Sequence, residues 1–165
     1  MCISSVEDKR FYLQLTSQET ILQELQDQLQ TLCIILPTVQ IEMLAIGDHC
    51  FGLFSEDSNW YRAVVTNIDG KQVTVTFVDY GNGETLSSDR LRCLHKDTTS
   101  PAMAYYCCLD GCENADPAVI EPRLSALTES TQLKAVFTEF FINILAIFYQ
   151  YDFGYFISHS SEDSF

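Results

Sequence analysis

The sequence predicts a mainly β fold with helical additions, in which a long helix precedes a small bent barrel and further strands follow it. Leucines at helical spacing occupy residues 22 to 36, whereas short apolar runs divided by turn residues occupy residues 47 to 94. Runs of aromatic and β-branched residues return after residue 132. A chain of 165 residues with 47% hydrophobic content is long enough for one sizeable domain or two small fused ones.

The first 46 residues are predicted to contain one strand and one helix. The segment from Phe11 to Leu15 places alternate apolar side chains on one face, as a half-buried strand requires. Thr16 with Glu19 three residues later matches a capping box, and Pro37 ends the helix. A dimerising coiled coil is the alternative use of the leucine stripe, but its length of about three heptads favours packing within the chain. The stripe consists of Leu22, Leu25, Leu29, Leu32 and Leu36.

Residues 47 to 96 are predicted to form the barrel. Asp69-Gly70 between two β-rich runs is a strong hairpin signal. After it, Val73, Val75 and Phe77 alternate with more polar neighbours, so one face of the strand is expected to be buried. The predicted strands are Cys50 to Phe54, Tyr61 to Ile68, Gln72 to Asp79 and Glu84 to Leu86.

The last third of the chain gives weaker signals. Ala102 to Gly111 is apolar, with no periodicity that separates a helix from a strand, and Arg123 to Leu127 is predicted to begin or end a short helix. Residues 158 to 165 are expected to form a frayed tail. Three further strands are predicted, at Leu133 to Phe137, Phe140 to Phe148 and Tyr151 to Ile157.

The charge of the chain argues against a nucleic-acid partner. The formal net charge is −14, and non-specific affinity for nucleic acids comes largely from Lys and Arg that displace counterions. Residues 1 to 46 hold six acids and two bases, residues 47 to 96 seven and five, and residues 97 to 165 ten and two. We therefore expect no direct nucleic-acid binding, and a basic peptide is the better match for the acidic flanks.

Cysteine usage and hydropathy predict an intracellular chain without a membrane span. The seven cysteines are odd in number and lack the spacing of a disulfide framework. No secretory signal begins the sequence, and the apolar stretch Phe140 to Tyr149 is far shorter than the about 20 residues that span a bilayer. Cys107, Cys108 and Cys112 lack the paired spacing of zinc ligands, so we expect free thiols and no metal or other cofactor.

Three motifs carry a family resemblance. They are Phe54-Ser55-Glu56-Asp57, Trp60-Tyr61-Arg62-Ala63 and Val78-Asp79-Tyr80-Gly81-Asn82. In this order and at these spacings they closely resemble the Tudor family. In extended Tudor domains, an SH3-like Tudor barrel is inserted into an OB subdomain similar to staphylococcal nuclease, and a long helix joins the two. The resemblance implies a strand region and linker helix at residues 1–46, the Tudor barrel at 47–96 and the remainder of the OB-like subdomain at 97–157.

The resemblance also implies a binding site for dimethylarginine. The aromatic cage of the family matches Phe54, Tyr61, Phe77 and Tyr80 here, and the cage asparagine of the family matches Asn82. Dimethylarginine keeps its positive charge, loses N–H donors and gains methyl groups, so stacked rings suit it well. The alternative for Phe54 and Phe77 is ordinary barrel core. At the level of the whole chain, the alternative is a protein-interaction or dimerisation module whose cage is closed or unused.

The expected function is recognition and not catalysis. The flanks resemble a nuclease fold, but Arg123 and Lys134 are the only bases in residues 97 to 165, so no catalytic set can be assigned there. Glu56, Asp57 and Asp79 are candidate peptide contacts, with solvated loop or turn support as the alternative. The resemblance implies a scaffold of the piRNA pathway that collects arginine-methylated Piwi-class proteins in cytoplasmic, perinuclear germ granules. The sequence leaves the oligomeric state open.

Overall fold

The computed structural model describes residues 1–7, 10–94, 100–109, 111–112, 114–128, 134–140 and 144–149. The chain divides into two compact units, one formed by Gln14–Ala104 and the other by Met1–Leu13 together with Tyr105–Phe165. The predicted strand at Tyr151 to Ile157 and the predicted tail at residues 158 to 165 lie outside the described residues.

Strands outnumber α-helices along the described part of the chain. In chain order the elements are β1 (Cys2–Glu7), β2 (Arg10–Gln14), α1 (Glu19–Ile35), β3 (His49–Leu53), β4 (Trp60–Asp69), β5 (Gln72–Phe77), β6 (Gly83–Ser87), β7 (Leu91–Cys93), β8 (Ala104–Leu109), α2 (Pro117–Thr128), β9 (Lys134–Phe140) and β10 (Ile144–Tyr149). Short 3₁₀ turns cover Thr16–Gln18, Ile41–Met43 and Ser88–Arg90.

The unit Gln14–Ala104 is built on a five-stranded antiparallel sheet in the order β6-β5-β4-β3-β7. The predicted alternation along β5 is confirmed, because Val73, Val75 and Phe77 are at most 1% exposed whereas Thr74 and Thr76 are half-buried. The predicted hairpin between β4 and β5 is also confirmed. Strand β5 is two residues shorter than predicted, because the chain turns directly after Phe77.

Helix α1 packs its leucine stripe against the outer side of β3 and β4. Leu29 and Cys33 are buried with Phe51, and the other stripe leucines are half-buried, so the expected packing within the chain is confirmed. The capping box was a wrong prediction: Thr16 lies inside a 3₁₀ turn, and neither N-cap residue, Leu15 nor Gln18, provides a side-chain cap.

Trp60 links α1 to the barrel. It packs into the cluster around Leu29, and the Arg92 guanidinium carbon lies 4.6 Å from its ring centroid. The Gln30 side chain donates to the Trp60 carbonyl at 3.0 Å and accepts from the Trp60 N–H at 2.9 Å, and Gln26 donates to the same carbonyl at 2.8 Å. These bonds fix the first residue of β4 and therefore the start of the strand that carries Tyr61.

The other unit contains a sheet in the order β1-β2-β8-β10-β9, in which β8 pairs parallel with β10. Its core includes Phe11, Leu13 and Cys107, with Ile120 and Leu124 from α2. The predicted short helix is twelve residues long and continues through Pro122, because the two buried side chains on α2 outweigh one missing backbone N–H. Among the described residues, no helix combines the length and apolar character that crossing a membrane requires.

Candidate functional site

The turn after β5 brings Phe77, Tyr80 and Asn82 to one end of the barrel. The Phe77 N–H donates to the Asn82 carbonyl at 2.8 Å, and the Gly81 N–H donates to the Phe77 carbonyl at 2.7 Å. Gly81 has φ +89°, a left-handed conformation that glycine adopts without steric penalty. The turn therefore closes tightly enough for side chains two and three residues apart to face the same space.

The loop between β3 and β4 brings Phe54 and Tyr61 to the same end. The Phe54 N–H donates to the Asn59 carbonyl at 2.9 Å, and the Ser58 N–H donates to the Phe54 carbonyl at 3.0 Å. One carboxylate oxygen of Asp57 accepts from the Asn59 N–H at 3.0 Å. The loop is thus a compact hydrogen-bonded turn between two aromatic side chains.

The structure brings all five residues of the expected cage together around one cavity of about 60 Å³. The Tyr61 ring centroid lies 6.2 Å from that of Phe54, 5.7 Å from that of Phe77 and 5.1 Å from that of Tyr80. The interplanar angles in these pairs are 81°, 69° and 82°, so Tyr61 stands edge to face with the other rings, as adjoining walls of a box do. The cavity is lined by Phe54, Tyr61, Phe77, Tyr80 and Asn82.

Phe77 is both a barrel core residue and a wall of this cavity. It is 1% exposed and belongs to the cluster that fills the barrel, whereas Phe54, Tyr61 and Tyr80 are only partly buried and pack against that cluster. The two interpretations of Phe77 from the sequence, barrel core and cavity wall, therefore describe the same ring.

Gly52 makes room for the Phe77 ring, a role that was not predicted from the sequence. A Cβ atom at Gly52 would lie 3.1 Å from Cε1 of Phe77 and 3.0 Å from Cδ1 of Leu86. A glycine inside a strand often marks such a close approach, so its position in β3 was the available signal.

Replacement of Gly52 by alanine is expected to destabilise the barrel by about 1 to 3 kcal/mol, because the added methyl displaces Phe77 or Leu86 from a well-packed core. Urea denaturation followed by circular dichroism measures this change. Glycine to alanine in a strand interior is otherwise stabilising by about 0.5 to 1 kcal/mol. An unchanged or raised unfolding midpoint would therefore contradict the close packing of Gly52 against Phe77.

A polar cluster fastens the loop that carries Phe54. The Ser55 N–H donates to Glu84 at 3.0 Å, the Ser55 hydroxyl donates to the same carboxylate, and Arg90 donates to the Ser55 hydroxyl at 2.7 Å. Arg90 also donates to the Leu53 carbonyl at 2.8 Å. The sequence contained no signal for this cluster, because its members come from three separate segments.

Asp79 is buried beneath the cavity turn and does not face solvent. It is 3% exposed, and its carboxylate accepts from the Arg62 guanidinium at 2.6 and 2.8 Å and from the Met103 N–H at 3.0 Å. Its backbone carbonyl accepts from the Gln14 side chain at 2.6 Å. This burial favours structural support of the turn over the alternative role of Asp79 as a peptide contact.

Asp57 and Glu56 are exposed on the β3–β4 loop, and Asp57 also contacts a cavity wall. The Tyr61 hydroxyl donates to the Asp57 carboxylate at 2.5 Å. Burial, followed by this hydrogen bond and the charge of Asp57, raises the pKa of Tyr61. Slight burial by itself raises the pKa of the Asp57 carboxyl. Hydrogen bonds from Tyr61 and Asn59 outweigh this effect, so the pKa of Asp57 is lowered. The Asp57 carboxylate is therefore ionised at neutral pH.

The cysteines form no metal site in the part of the chain that the structure describes, where no group of three potential metal ligands occurs. Cys33, Cys50, Cys93 and Cys107 are free thiols. Burial is the main factor that raises the pKa values of Cys33, Cys50 and Cys107 to about 12. These three thiols stay protonated at neutral pH, which makes them poor metal ligands.

Comparisons with known proteins agree with this geometry. A family model described as "Tudor domain" matches residues 1–111. Human Tudor domain-containing protein 1 is 40% identical over 111 residues, which cover 66% of this chain and 9% of that protein. The chain spans less than a tenth of the length of such curated relatives.

Solved structures with the same fold include two extended Tudor domains. That of human TDRD1, in complex with a symmetrically dimethylated peptide, is 29% identical with a TM-score of 0.78, covering 89% of this chain and 76% of that one. That of mouse TDRD1, in complex with a MILI peptide containing dimethylarginine, is 24% identical with a TM-score of 0.80, covering 93% and 83%. The predicted fold class, mainly β with helices and an extended Tudor architecture, is confirmed.

Proposed function

We propose, from the premise that this chain belongs to the Tudor domain family, that it reads arginine methylation by enclosing a dimethylarginine side chain in the cavity of Phe54, Tyr61, Phe77, Tyr80 and Asn82. One observation carries the proposal: four aromatic rings and one amide, brought from two separate turns, line a single small cavity. The 29% identical human domain in complex with a symmetrically dimethylated peptide supports the same chemistry here.

The chemistry of the cavity matches a methylated guanidinium better than an unmodified one. Aromatic faces attract a cation at about 0.5 to 2 kcal/mol each and also accept methyl groups. Asn82 provides a side-chain carbonyl that can accept one of the remaining N–H groups. No lining residue is a carboxylate that would form a paired salt bridge with unmodified arginine. Symmetric dimethylarginine, which keeps one N–H on each methylated nitrogen, is the ligand that we assign.

The cellular role that we propose is that of a non-enzymatic scaffold in the piRNA pathway. Its partner would be an arginine-methylated peptide of a Piwi-class or related protein, with no direct contact to nucleic acid or membrane. The net charge of −14 supports a basic peptide partner and disfavours a phosphate backbone. By relation to its family, the site of action would be cytoplasmic, perinuclear germ granules.

Isothermal titration with one Arg-Gly peptide in four forms tests the proposal: unmodified, monomethylated, asymmetrically dimethylated and symmetrically dimethylated. Two buried methyl groups at about 0.8 kcal/mol each predict a preference of about 15-fold for the symmetrically dimethylated form over the unmodified one. Equal affinities for these two forms, or binding of neither, would refute methylarginine reading.

The second candidate function is a protein-interaction or dimerisation module whose cage stays closed. It is favoured by the small size of the cavity, about 60 Å³. We expect a dimethylated guanidinium to enter by outward movement of the partly exposed rings of Phe54 and Tyr80. A crystal structure with the dimethylated peptide discriminates: reading requires displaced rings around the ligand, whereas the closed module keeps the present ring positions.

A further inference from the structure

We infer that Asp57 is a positioning and charge-supplying residue of the cage, acting on the bound cation through the hydroxyl of Tyr61 and not by direct contact with the peptide. This inference rests on the proposed function. It assigns a role in methylarginine affinity to a loop carboxylate that lies outside the cavity lining.

The two carboxylate oxygens of Asp57 have different partners, one in the loop and one that includes the cavity wall Tyr61. One oxygen accepts from the Asn59 N–H at 3.0 Å and so shapes the loop. The other accepts from the Tyr61 hydroxyl at 2.5 Å and from the Asn59 side chain at 3.0 Å. The hydroxyl bond connects residues four positions apart across the loop, which ties the outer edge of the Tyr61 ring to a fixed acceptor.

The hydrogen bond from Tyr61 to Asp57 fixes the orientation of the Tyr61 ring, which contacts the three other aromatic rings of the cavity. Tyr61 makes ring contacts with Phe54, Phe77 and Tyr80, so a rotation of Tyr61 would change the shape of the whole cavity. Its hydroxyl would otherwise be free to turn toward water. With the hydroxyl held by Asp57, the ring stays edge to face with the other walls before a ligand arrives, which reduces the ordering required on binding.

The same hydrogen bond places negative charge behind the ring. A carboxylate that accepts a phenolic O–H shifts electron density toward the ring, and ring faces attract cations through that density. The groups that act electrostatically on Tyr61 are Asp57 and Tyr80, and the Asn59 side chain donates nearby. Asp57 thus strengthens the Tyr61 ring as a cation-binding face without forming the direct salt bridge that unmodified arginine would share.

The test uses three variants: Asp57→Asn, Tyr61→Phe and the double variant, with Asp69→Asn as the matched control. Asparagine at position 57 keeps an oxygen for the Asn59 N–H but loses the charge. Asp69 is an exposed carboxylate at the far end of β4, eight residues and roughly 26 Å along the strand from Tyr61. Thermal unfolding of each variant verifies that it is folded before titration.

We expect Asp57→Asn to weaken binding of the symmetrically dimethylated peptide by about threefold to tenfold, because the Tyr61 ring loses its fixed orientation and the electron density that the charged hydrogen bond supplies. Asp69→Asn should change the affinity less than twofold, because solvent and salt screen its charge over that distance, with a Debye length of about 8 Å. In the Tyr61→Phe background the further loss from Asp57→Asn should nearly vanish. Additive losses in the double variant would overturn action through the hydroxyl.

NMR of ring-labelled tyrosine without peptide, at neutral pH, provides a readout that a loop-shaping role would not change. Removal of the Asp57 charge weakens the hydrogen bond from the Tyr61 hydroxyl, so the ring Cζ chemical shift of Tyr61 is expected to change. An unchanged Tyr61 shift in Asp57→Asn overturns the inference. If the wild-type chain discriminates methylated peptide but Asp57→Asn binds it equally well, only this inference fails. If the wild-type chain does not discriminate, the proposed function fails and this inference fails with it.

Discussion

Arg62→Ala is expected to destabilise the barrel unit by about 3 to 5 kcal/mol, because it leaves the Asp79 carboxylate buried without its cation. Arg62 is 4% exposed and Asp79 is 3% exposed, so the carboxylate that remains is poorly solvated. Arg62 also donates to the carbonyls of Ser100 and Pro101. The substitution therefore removes a hydrogen-bond donor from these two carbonyls as well as from Asp79. Urea denaturation followed by circular dichroism at neutral pH measures the loss.

A double variant distinguishes the effect of losing one charge of the ion pair from the effect of losing the volume that the side chain fills. Arg62→Met combined with Asp79→Leu removes both charges and retains apolar bulk, so its loss of stability should be clearly smaller than that of Arg62→Ala. If the double variant is as unstable as Arg62→Ala, the unpaired Asp79 carboxylate is not the cause of the lost stability in Arg62→Ala.

Phe77→Ala is expected to remove both stability and binding. The ring is 1% exposed within the barrel core, and truncation of such a phenylalanine costs about 3 to 5 kcal/mol. It also removes one wall of the cavity. Denaturation and peptide titration together measure the two losses, the titration being made under conditions where the variant remains folded.

Tyr80→Ala is the matched comparison for Phe77→Ala. Tyr80 lines the same cavity but is only partly buried, so its loss should change stability by about 1 kcal/mol and weaken binding by about 2- to 30-fold. Equal losses of stability in the two variants would contradict the assignment of Phe77 to the barrel core and of Tyr80 to the partly exposed rim of the cavity. Unchanged affinity in Tyr80→Ala would remove Tyr80 from the binding site.

Local sequence patterns predicted the barrel well, because its strands follow rules that act between neighbouring residues. Alternation along β5 and the turn after Asp69 need no knowledge of distant residues. The errors arose where context decides. Strand β1 was not predicted, since Ser4 and Ser5 interrupt its apolar pattern, although Ile3 is buried in the core. Helix α2 continues through Pro122 because Ile120 and Leu124 are buried beside it.

The identities of the cavity residues were accessible from the motifs, but their supports were not. Gly52 faces Phe77 from another strand, and Ser55 meets Glu84 at a separation of 29 residues. The burial of Asp79 depends on Arg62, 17 residues earlier in the chain. Such pairs exist only after the strands have taken their register, so no local pattern identifies the partner of each residue.

The position of Trp60 gives this chain an internal optical reporter. It is the single tryptophan, packed between α1 and the barrel beneath the Arg92 guanidinium, and neighbouring side chains on a strand point to opposite faces. Its indole therefore faces away from the cavity that Tyr61 lines. Fluorescence emission should follow detachment of the helix during unfolding while remaining nearly insensitive to peptide, so it reports the folded state of a sample whether or not peptide is bound.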